Sequence, residues 1–250
     1  MKEVAKLVMV DLTECIGCER CLPYCPANAI SMKETKAYVN PDECVECYTC
    51  LRAEACPVRA IHETELHWPR TLRHVFSSVT MVHKETRVPG RGTEEMKTND
   101  VTNRFGYGEI GFSVDIGRPG VGVKFRDVEK VTMAAAKCVV EFEPMNPVTI
   151  LMTDKKTGQL PDEIKGEKIH SCVLEFKLKR QKDIQDLMRA LRTVAKDVDT
   201  VFSVGVCSKL TDDDETPTLS LLRQASVTPR PNGKLNIGLG RPLTEGGAKT

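Results

Sequence analysis

The chain has 250 residues and nearly balanced charge, with 36 basic and 35 acidic side chains and a formal net charge of +1. This balance argues against a nucleic-acid-binding protein held mainly by bulk charge. Hydrophobic residues make up 40% and charged residues 28%, which is a globular composition. No apolar run approaches the roughly 18 residues of a membrane span, and the N-terminus has no signal-peptide pattern. We therefore expect a cytoplasmic protein.

The unusual feature of the composition is its 11 cysteines. Eight of them lie between Cys15 and Cys56, and only Cys138, Cys172 and Cys207 follow. A disulfide scaffold would spread its cysteines along the chain, and an odd total would leave one thiol unpaired. The crowding at one end therefore indicates metal chemistry in a small N-terminal module.

The eight cysteines form two copies of one motif. The first copy reads C-x2-C-x2-C-x3-C-P from Cys15 to Pro26, and the second reads C-x2-C-x2-C-x5-C-P from Cys44 to Pro57. Three thiolates spaced in this way on a tight loop can reach three irons of one cubane, and a fourth must arrive from elsewhere. Structural zinc is the alternative, because C-x2-C pairs also bind zinc. The duplicated run that ends in Cys-Pro favours iron and sulfide.

Residues 1–66 resemble the bacterial two-cluster ferredoxins in these motifs. The resemblance implies two [4Fe-4S] clusters, each of which takes its fourth ligand from the other copy. The ligands of cluster I would be Cys15, Cys18, Cys21 and Cys56. The ligands of cluster II would be Cys44, Cys47, Cys50 and Cys25. The two extra residues before Cys56 depart from the family pattern, but they remove no ligand.

The charges divide unequally along the chain. Residues 1–66 carry seven basic and eleven acidic side chains, a net charge of −4, and the remainder carries 29 basic and 24 acidic side chains, a net charge of +5. An acidic ferredoxin surface can steer toward a basic partner surface. The alternative is that these acids only keep a small module in solution.

The predicted elements of residues 1–66 are strands at Lys6–Asp11 and Ala37–Asn40, with a short helical turn after the third cysteine of each motif. Residues 67–106 contain several prolines and glycines, which is typical of a linker or a wrapping segment. One strand is predicted there, at Arg73–Val82. The tail, residues 213–250, contains Asn232-Gly233, which predicts a β-hairpin between Ser226–Arg230 and Lys234–Leu239.

Residues 107–212 alternate between strand and helix patterns. Period-2 and period-3.6 apolar spacing predicts four strands and two helices. In chain order these are strand Glu109–Gly117, helix Phe125–Val139, strand Val148–Thr153, strand Ser171–Lys179, helix Lys182–Val198 and strand Thr200–Cys207. This order is that of the split βαβ, or ferredoxin-like α/β sandwich, which itself binds no iron. The fold class is therefore α+β, with a ferredoxin module followed by this sandwich.

Two further features of the second half could carry chemistry. Cys138, Cys172 and Cys207 lie on apolar faces of their elements, so we interpret them as small hydrophobic residues rather than a third metal centre. The glycine-rich turn Gly117–Gly122 and its echo at Gly238–Pro242 could line a ligand surface, but glycine and proline more often serve as plain turns. No residue is assigned a catalytic role.

The second half also resembles the C-terminal region of iron–sulfur proteins of the 6-hydroxynicotinate reductase type. The resemblance rests on Arg91-Gly-Thr-Glu-Glu95, Gly108-Glu-Ile-Gly111 and Gly117-Arg-Pro-Gly120. It implies service to an anaerobic reductase and supplies no catalytic residues.

The sequence thus predicts an electron-transfer protein or subunit rather than a stand-alone enzyme. Its partner would be a flavin- or metal-containing oxidoreductase, docked by the C-terminal domain. One alternative is an iron–sulfur reductase subunit whose second domain binds substrate or flavin. Another is a redox-sensing regulator whose sandwich binds a small ligand. A homodimer through the open sheet is a further alternative for the assembly.

Overall fold

The computed structural model describes residues 6–84, 86–87, 91–93, 95–209 and 217–230. Within these ranges the strands form one four-stranded sheet and three two-stranded sheets. Apolar side chains gather in two cores, one within residues 8–61 and one within residues 72–225. None of the helices in the described ranges is both long enough and apolar enough to cross a lipid bilayer.

Two small antiparallel sheets flank the cysteine motifs. Strand β1 (Lys6–Val10) pairs with β4 (Ile61–Glu65), and β2 (Ile30–Lys33) pairs with β3 (Lys36–Val39). The first motif lies between β1 and β2 and the second between β3 and β4, so each motif is a loop held by strands at both ends. The strands predicted at Lys6–Asp11 and Ala37–Asn40 are confirmed, while β2 and β4 were not predicted.

The helical turns near the third cysteines are also confirmed. A 3-10 turn, Leu22–Tyr24, follows Cys21. In the second copy the turn is helix α1 (Thr49–Arg52), which begins one residue before Cys50 and so includes it.

The segment that joins the two halves is helical where a strand was predicted. Residues Thr71–Ser77 form helix α2, so the predicted strand at Arg73–Val82 is wrong. Leu72 and Phe76 are four residues apart, and both are buried in the C-terminal core. Residues four positions apart lie on one face both in a helix and in a strand. The short apolar pattern therefore did not distinguish the two structures. A second short helix, α3 (Asn99–Thr102), follows.

The C-terminal half is built on one antiparallel sheet of four strands. In chain order its strands are β5 (Ile110–Ile116), β7 (Val140–Phe142), β9 (Cys172–Leu178) and β10 (Phe202–Cys207). The spatial order is β10-β5-β9-β7, and every neighbouring pair is antiparallel. A separate two-stranded sheet joins β6 (Val123–Lys124) to β8 (Lys168–Ile169). The strands predicted near β5, β9 and β10 are confirmed.

Helix α4 (Phe125–Ala136) connects β5 with β7 through the short strand β6, and helix α6 (Ile184–Val194) connects β9 with β10. Both predicted helices are confirmed, and the two pack against each other. The core that they share with the sheet includes the rings of Phe112 and Phe176, which stack with centroids 5.2 Å apart. The sheet is also covered at Gly111, where the ring of Phe105 lies against the strand.

The strand predicted at Val148–Thr153 is wrong, because Pro147–Leu151 forms helix α5. The side chain of Asn146 caps this helix by accepting hydrogen bonds from the backbone N–H groups of Val148 and Thr149. Pro147 occupies the first turn, where a missing N–H costs nothing. The capping signal was present in the sequence and outweighs the β-branched composition of the segment.

The last described element is helix α7 (Pro217–Gln224). Residues 226–230 have no strand structure, so the strand predicted at Ser226–Arg230 is wrong. Its hairpin turn Asn232-Gly233, its partner strand Lys234–Leu239 and the turn Gly238–Pro242 lie outside the described residues.

Candidate metal centre

The duplication of the cysteine motif is visible in the backbone dihedral angles. Three equivalent positions of the two copies have left-handed φ angles: Gly17 (69°), Glu19 (62°) and Asn28 (53°) in the first copy, and Glu46 (53°), Tyr48 (59°) and Arg59 (54°) in the second. The second copy has one more, Glu54 (46°), in its longer segment before Cys56. Left-handed residues within a loop turn successive N–H groups toward a common concave side, which suits an anion. Both motifs therefore fold into the same kind of anion-binding loop.

Gly17 and Glu46 occupy equivalent positions, but only the first copy requires glycine there. A Cβ on Gly17 would lie 2.2 Å from the backbone oxygen of Thr35, which no side chain can tolerate without displacement. The equivalent Glu46 has room for a side chain, and its carboxylate is fully buried. The two loops therefore share a backbone path but have different surroundings.

Four of the predicted ligands surround one cavity. Its walls include Cys15, Cys18, Cys21 and Cys56, together with apolar side chains from β1, β3 and β4. The empty space between its walls is about 320 Å³, the open mouth included. The structure thus brings together the three cysteines of the first motif and the last cysteine of the second, which is the set that the resemblance implies for cluster I.

The remaining four cysteines also lie close to one another. Burial, with smaller contributions from the neighbouring thiols of Cys47 and Cys25, raises the pKa of Cys50 to about 12. Burial likewise raises the pKa of Cys44, with Glu46 and Cys47 adding to the rise. Thiols with raised pKa values stay protonated at neutral pH unless a metal displaces the proton. Cys44 and Cys50 therefore become thiolates when a bound metal ion displaces their protons.

Backbone N–H groups point at cysteine sulfurs in both sets. The N–H of Ala29 donates to Cys25 Sγ at 3.1 Å, and the N–H of Ala60 donates to Cys56 Sγ at 3.2 Å. These two bonds occupy equivalent positions of the two copies. In the first set the N–H of Ala37 also donates to Cys15 Sγ at 3.5 Å and lowers the pKa of that thiol. Such bonds stabilise charge on sulfur and help to set cluster potentials.

The arrangement fits a multi-iron cluster. A cubane is held by four thiolates spread around a central core, and the first cavity is ringed by four thiols in this manner. Over the part of the chain that the structure describes, no three His, Cys, Asp or Glu side chains form a group that could hold a single metal ion.

The two loops differ in exposure. In the first loop Cys18 is exposed, and the apolar side chains of Leu12 and Ile16 are 58% and 63% exposed. In the second loop residues 44–46 are all buried. The first site therefore lies close to the surface, whereas the second is covered by other parts of the chain.

Glu46 is a site residue that the sequence analysis missed. Its Oε2 accepts the N–H of Val8 at 3.0 Å. Its Oε1 accepts two bonds from the guanidinium of Arg70, from Nε at 2.9 Å and from Nη2 at 2.6 Å. The only signal in the sequence was an acidic residue at the position that glycine occupies in the first copy.

Helix α2 supplies two further contacts to the second loop. Arg73 is 5% exposed, and its Nη1 donates to the carbonyl oxygens of Pro41, Asp42 and Cys44 at 2.9, 3.1 and 2.9 Å. Its Nε donates to Glu167 at 2.5 Å. His74 lies 2.7 Å by its Nδ1 from the carbonyl oxygen of Glu46, and its ring stacks obliquely on that of Tyr48 at 4.4 Å. The helix therefore holds the second loop in place.

The turn Gly117–Gly122 contacts the N-terminal module. The N–H of Gly120 donates to the carbonyl oxygen of Pro26 at 2.6 Å, directly after Cys25. Nearby, Lys168 forms an ion pair with Glu43 at 2.5 Å. The turn thus contributes to the contact between the two halves of the chain.

Two of the three remaining cysteines, Cys172 and Cys138, pack as predicted for small hydrophobic residues. Cys172 is fully buried in the C-terminal core, and Cys138 is partly buried against it. Burial raises the pKa of Cys172 to about 12. Cys207 is half-buried at the end of β10.

The N-terminal module is similar in sequence to known ferredoxins. The model of the 4Fe-4S dicluster domain family matches residues 14–66. A ferredoxin of Alicyclobacillus acidocaldarius is 38% identical over 58 residues, which cover 22% of this chain and 72% of that protein. A protein named ferredoxin 7Fe from Hydrogenibacillus schlegelii is 36% identical over 53 residues, or 20% of this chain and 65% of its own length.

An uncharacterized ferredoxin-like protein of Haemophilus influenzae is 24% identical over 88 residues, which cover 33% of this chain and all of that protein. No solved structure matches the chain significantly.

Proposed function

The chain belongs to the ferredoxin family through its N-terminal module, and from this premise we propose that it transfers electrons through two [4Fe-4S] clusters to or from a partner oxidoreductase. The observation that carries the proposal is the cavity lined by Cys15, Cys18, Cys21 and Cys56, which joins ligands from both motif copies. When bound, the clusters supply one-electron transfer. The protein's own residues hold, insulate and orient them.

The proposed ligand sets follow from this grouping. Cys15, Cys18, Cys21 and Cys56 hold cluster I, and Cys25, Cys44, Cys47 and Cys50 hold cluster II. The crossed fourth ligands are supported by the presence of Cys56 in the wall of the first cavity and by the proximity of Cys25 to Cys50. The relative named ferredoxin 7Fe raises the alternative of seven irons. Eight cysteines in two sets of four favour eight irons here.

Electron exchange with the partner takes place at cluster I in this proposal. The exposed Cys18, Leu12 and Ile16 put the first site within reach of a docked protein, whereas α2 covers the second. The net charge of −4 over residues 1–66 suits a partner surface that is basic. The partner would be a flavin- or metal-containing oxidoreductase, whose own redox centre exchanges electrons with cluster I.

The C-terminal half is proposed to dock the partner. We assign it to the split βαβ, or ferredoxin-like sandwich, because its antiparallel sheet has the order β10-β5-β9-β7 with α4 and α6 as the two crossovers. The proposed division of the chain is 1–66, 67–106, 107–212 and 213–250. Service to an anaerobic reductase follows from the second resemblance alone. A cytoplasmic setting suits a chain whose 11 cysteines form no disulfide bond within the described residues.

The decisive experiment is anaerobic purification of the full-length protein with quantification of iron, sulfide and flavin. We expect about eight irons and eight sulfides, because each cubane holds four of each. Cys18→Ala should lower the iron content, and Cys138→Ala, a cysteine outside both sets, should leave it unchanged. Four or fewer irons after anaerobic reconstitution would contradict the two-cluster proposal. Bound flavin with turnover by the isolated chain would favour the reductase alternative.

A further inference from the structure

Glu46 places a buried charge inside one metal loop and not the other. It lies between Cys44 and Cys47, and its carboxylate is fully inaccessible to solvent. Gly17 occupies the equivalent position between Cys15 and Cys18, and the nearby Thr35 oxygen leaves no space for a side chain there. The asymmetry is therefore built into the two loops by their sequences and by their packing.

The contacts of Glu46 pair its carboxylate with a guanidinium and fix it in place. Arg70 donates two hydrogen bonds to Oε1, and the backbone N–H of Val8 donates one to Oε2. Hydrogen bonds between a guanidinium and a carboxylate are charge-assisted and hold the two groups in a defined geometry. The compensating guanidinium belongs to Arg70, directly before α2, and its side chain is 22% exposed while that of Glu46 is 0% exposed. Solvent therefore screens the positive charge more than the negative one.

Reduction of a [4Fe-4S] cluster adds one negative charge to it. A fixed negative charge nearby opposes that step, and the opposition is stronger where water is excluded. The second loop has both features, since residues 44–46 are buried and Glu46 is among them. The first loop also has an acid near its cavity, Glu19, but that side chain is exposed to solvent, and glycine occupies the position equivalent to Glu46.

We propose that Glu46, held by Arg70 and the Val8 N–H, lowers the reduction potential of cluster II below that of cluster I. Glu46 is thus a positioning residue for charge rather than a ligand. One electron then moves spontaneously from reduced cluster II to oxidised cluster I, and no proton or atom moves with it. The internal direction of transfer is from the covered site toward the exposed one. This inference rests on the two-cluster function proposed above.

The test is a potentiometric titration of the anaerobic, full-length protein, with electron paramagnetic resonance used to follow each cluster. Glu46→Gln keeps the shape of the side chain and removes its charge. We expect the lower of the two potentials to rise and the upper one to stay unchanged, so that the gap narrows. The double variant Glu46→Gln/Arg70→Gln leaves no unpaired buried charge, and its lower potential should rise by less than in Glu46→Gln.

Glu63→Gln is the matched control, because it removes one exposed carboxylate from the same module. It should move neither potential appreciably, since water screens its charge. Unchanged potentials in both Glu46 variants at full iron content would overturn the inference, and so would equal shifts of both potentials. Loss of iron from both variants would also overturn it, because Glu46 would then be needed for the shape of the loop.

The two levels of the proposal fail in different ways. About four irons in the unmodified protein, or uptake of only one electron per chain, would refute the two-cluster function. Eight irons with both clusters reduced in a single step would refute the potential gap and so the role of Glu46. Two separate steps that do not respond to Glu46→Gln would refute only the role of Glu46.

Discussion

Replacement of Arg73 by methionine should strongly destabilise the contact between the two halves of the chain. The substitution keeps an unbranched apolar side chain but removes the guanidinium. Glu167 then loses its ion pair, and the carbonyl oxygens of Pro41, Asp42 and Cys44 lose their shared donor. Arg73 is 5% exposed, so water does not readily replace these bonds.

The magnitude follows from the kind of interaction that is lost. Removal of one partner from a buried, hydrogen-bonded ion pair costs about 3–5 kcal/mol. Each buried acceptor left without a donor costs about 1–3 kcal/mol, but these costs overlap because all the bonds share one guanidinium. We therefore expect a total loss of about 3–5 kcal/mol. For a chain of this size each kcal/mol lowers the unfolding midpoint by about 2–4 °C, so the expected decrease is about 6–20 °C.

The assay is anaerobic thermal unfolding, followed by far-ultraviolet circular dichroism and by the visible absorption of the clusters. Cluster loss makes unfolding irreversible, so apparent midpoints must be compared at one heating rate. Arg189→Met is the matched control, because it breaks the ion pair with Asp186 on the exposed face of α6, where both side chains are more than half exposed. Equal midpoints for Arg73→Met and Arg189→Met would refute the reasoning.

Two further predictions concern the backbone of the first loop and the acid side of the stability profile. Gly17→Ala should lose iron, because its Cβ would lie 2.2 Å from the Thr35 oxygen. Gly120→Ala is the control and should keep its iron, because Gly120 also has a positive φ but has open space around it. The measurement is the iron-to-protein ratio, and a full iron content in Gly17→Ala would contradict the steric argument. Burial, with smaller contributions from Arg91 and Lys168, lowers the pKa of His170 from 6.5 to about 4. Between these values the unfolded chain binds a proton that the folded one does not, so stability should fall as pH falls from about 6.5 to 4. The apparent midpoint of His170→Asn should depend less steeply on pH, and an unchanged slope would contradict this assignment.

The sequence was most informative where a pattern is long or chemically specific. Strands β5 and β9 and helix α6 each have an extended apolar face, and the structure confirms them. The resemblance of the cysteine motifs to the two-cluster ferredoxins likewise implied the four cysteines that line the first cavity. Extended apolar patterns and a specific family resemblance therefore sufficed for these features.

Short segments were predicted less well because tertiary contacts decide their structure. Helix α2 has only seven residues, and Val75 and Phe76 also suit a strand. What holds it as a helix includes the burial of Leu72 and Phe76 and the bonds that Arg73 makes to a loop about 30 residues earlier. Helix α5 is different, since Asn146-Pro147 is a local sequence signal for the start of a helix.

The pair of Glu46 and Arg70 could not be found from the sequence by a local rule. The residues are 24 positions apart and belong to different elements, and neither forms a motif with its neighbours. Only the packing of α2 onto the second loop brings them together. The asymmetry of the two sites was therefore invisible at the level of the duplicated cysteines, which make the copies look equivalent.

The anchoring of α2 has a consequence for how the protein finds its partner. The helix is buried in the C-terminal core through Leu72 and Phe76 and binds the second loop through Arg70 and Arg73. A redox module on a flexible linker would reorient independently of the rest of the chain and could reach its partner by its own diffusion. Here the module has a fixed orientation, so the whole chain must rotate to present the first site. Encounter should therefore depend on the tumbling of the entire molecule and on the orientation of its charge.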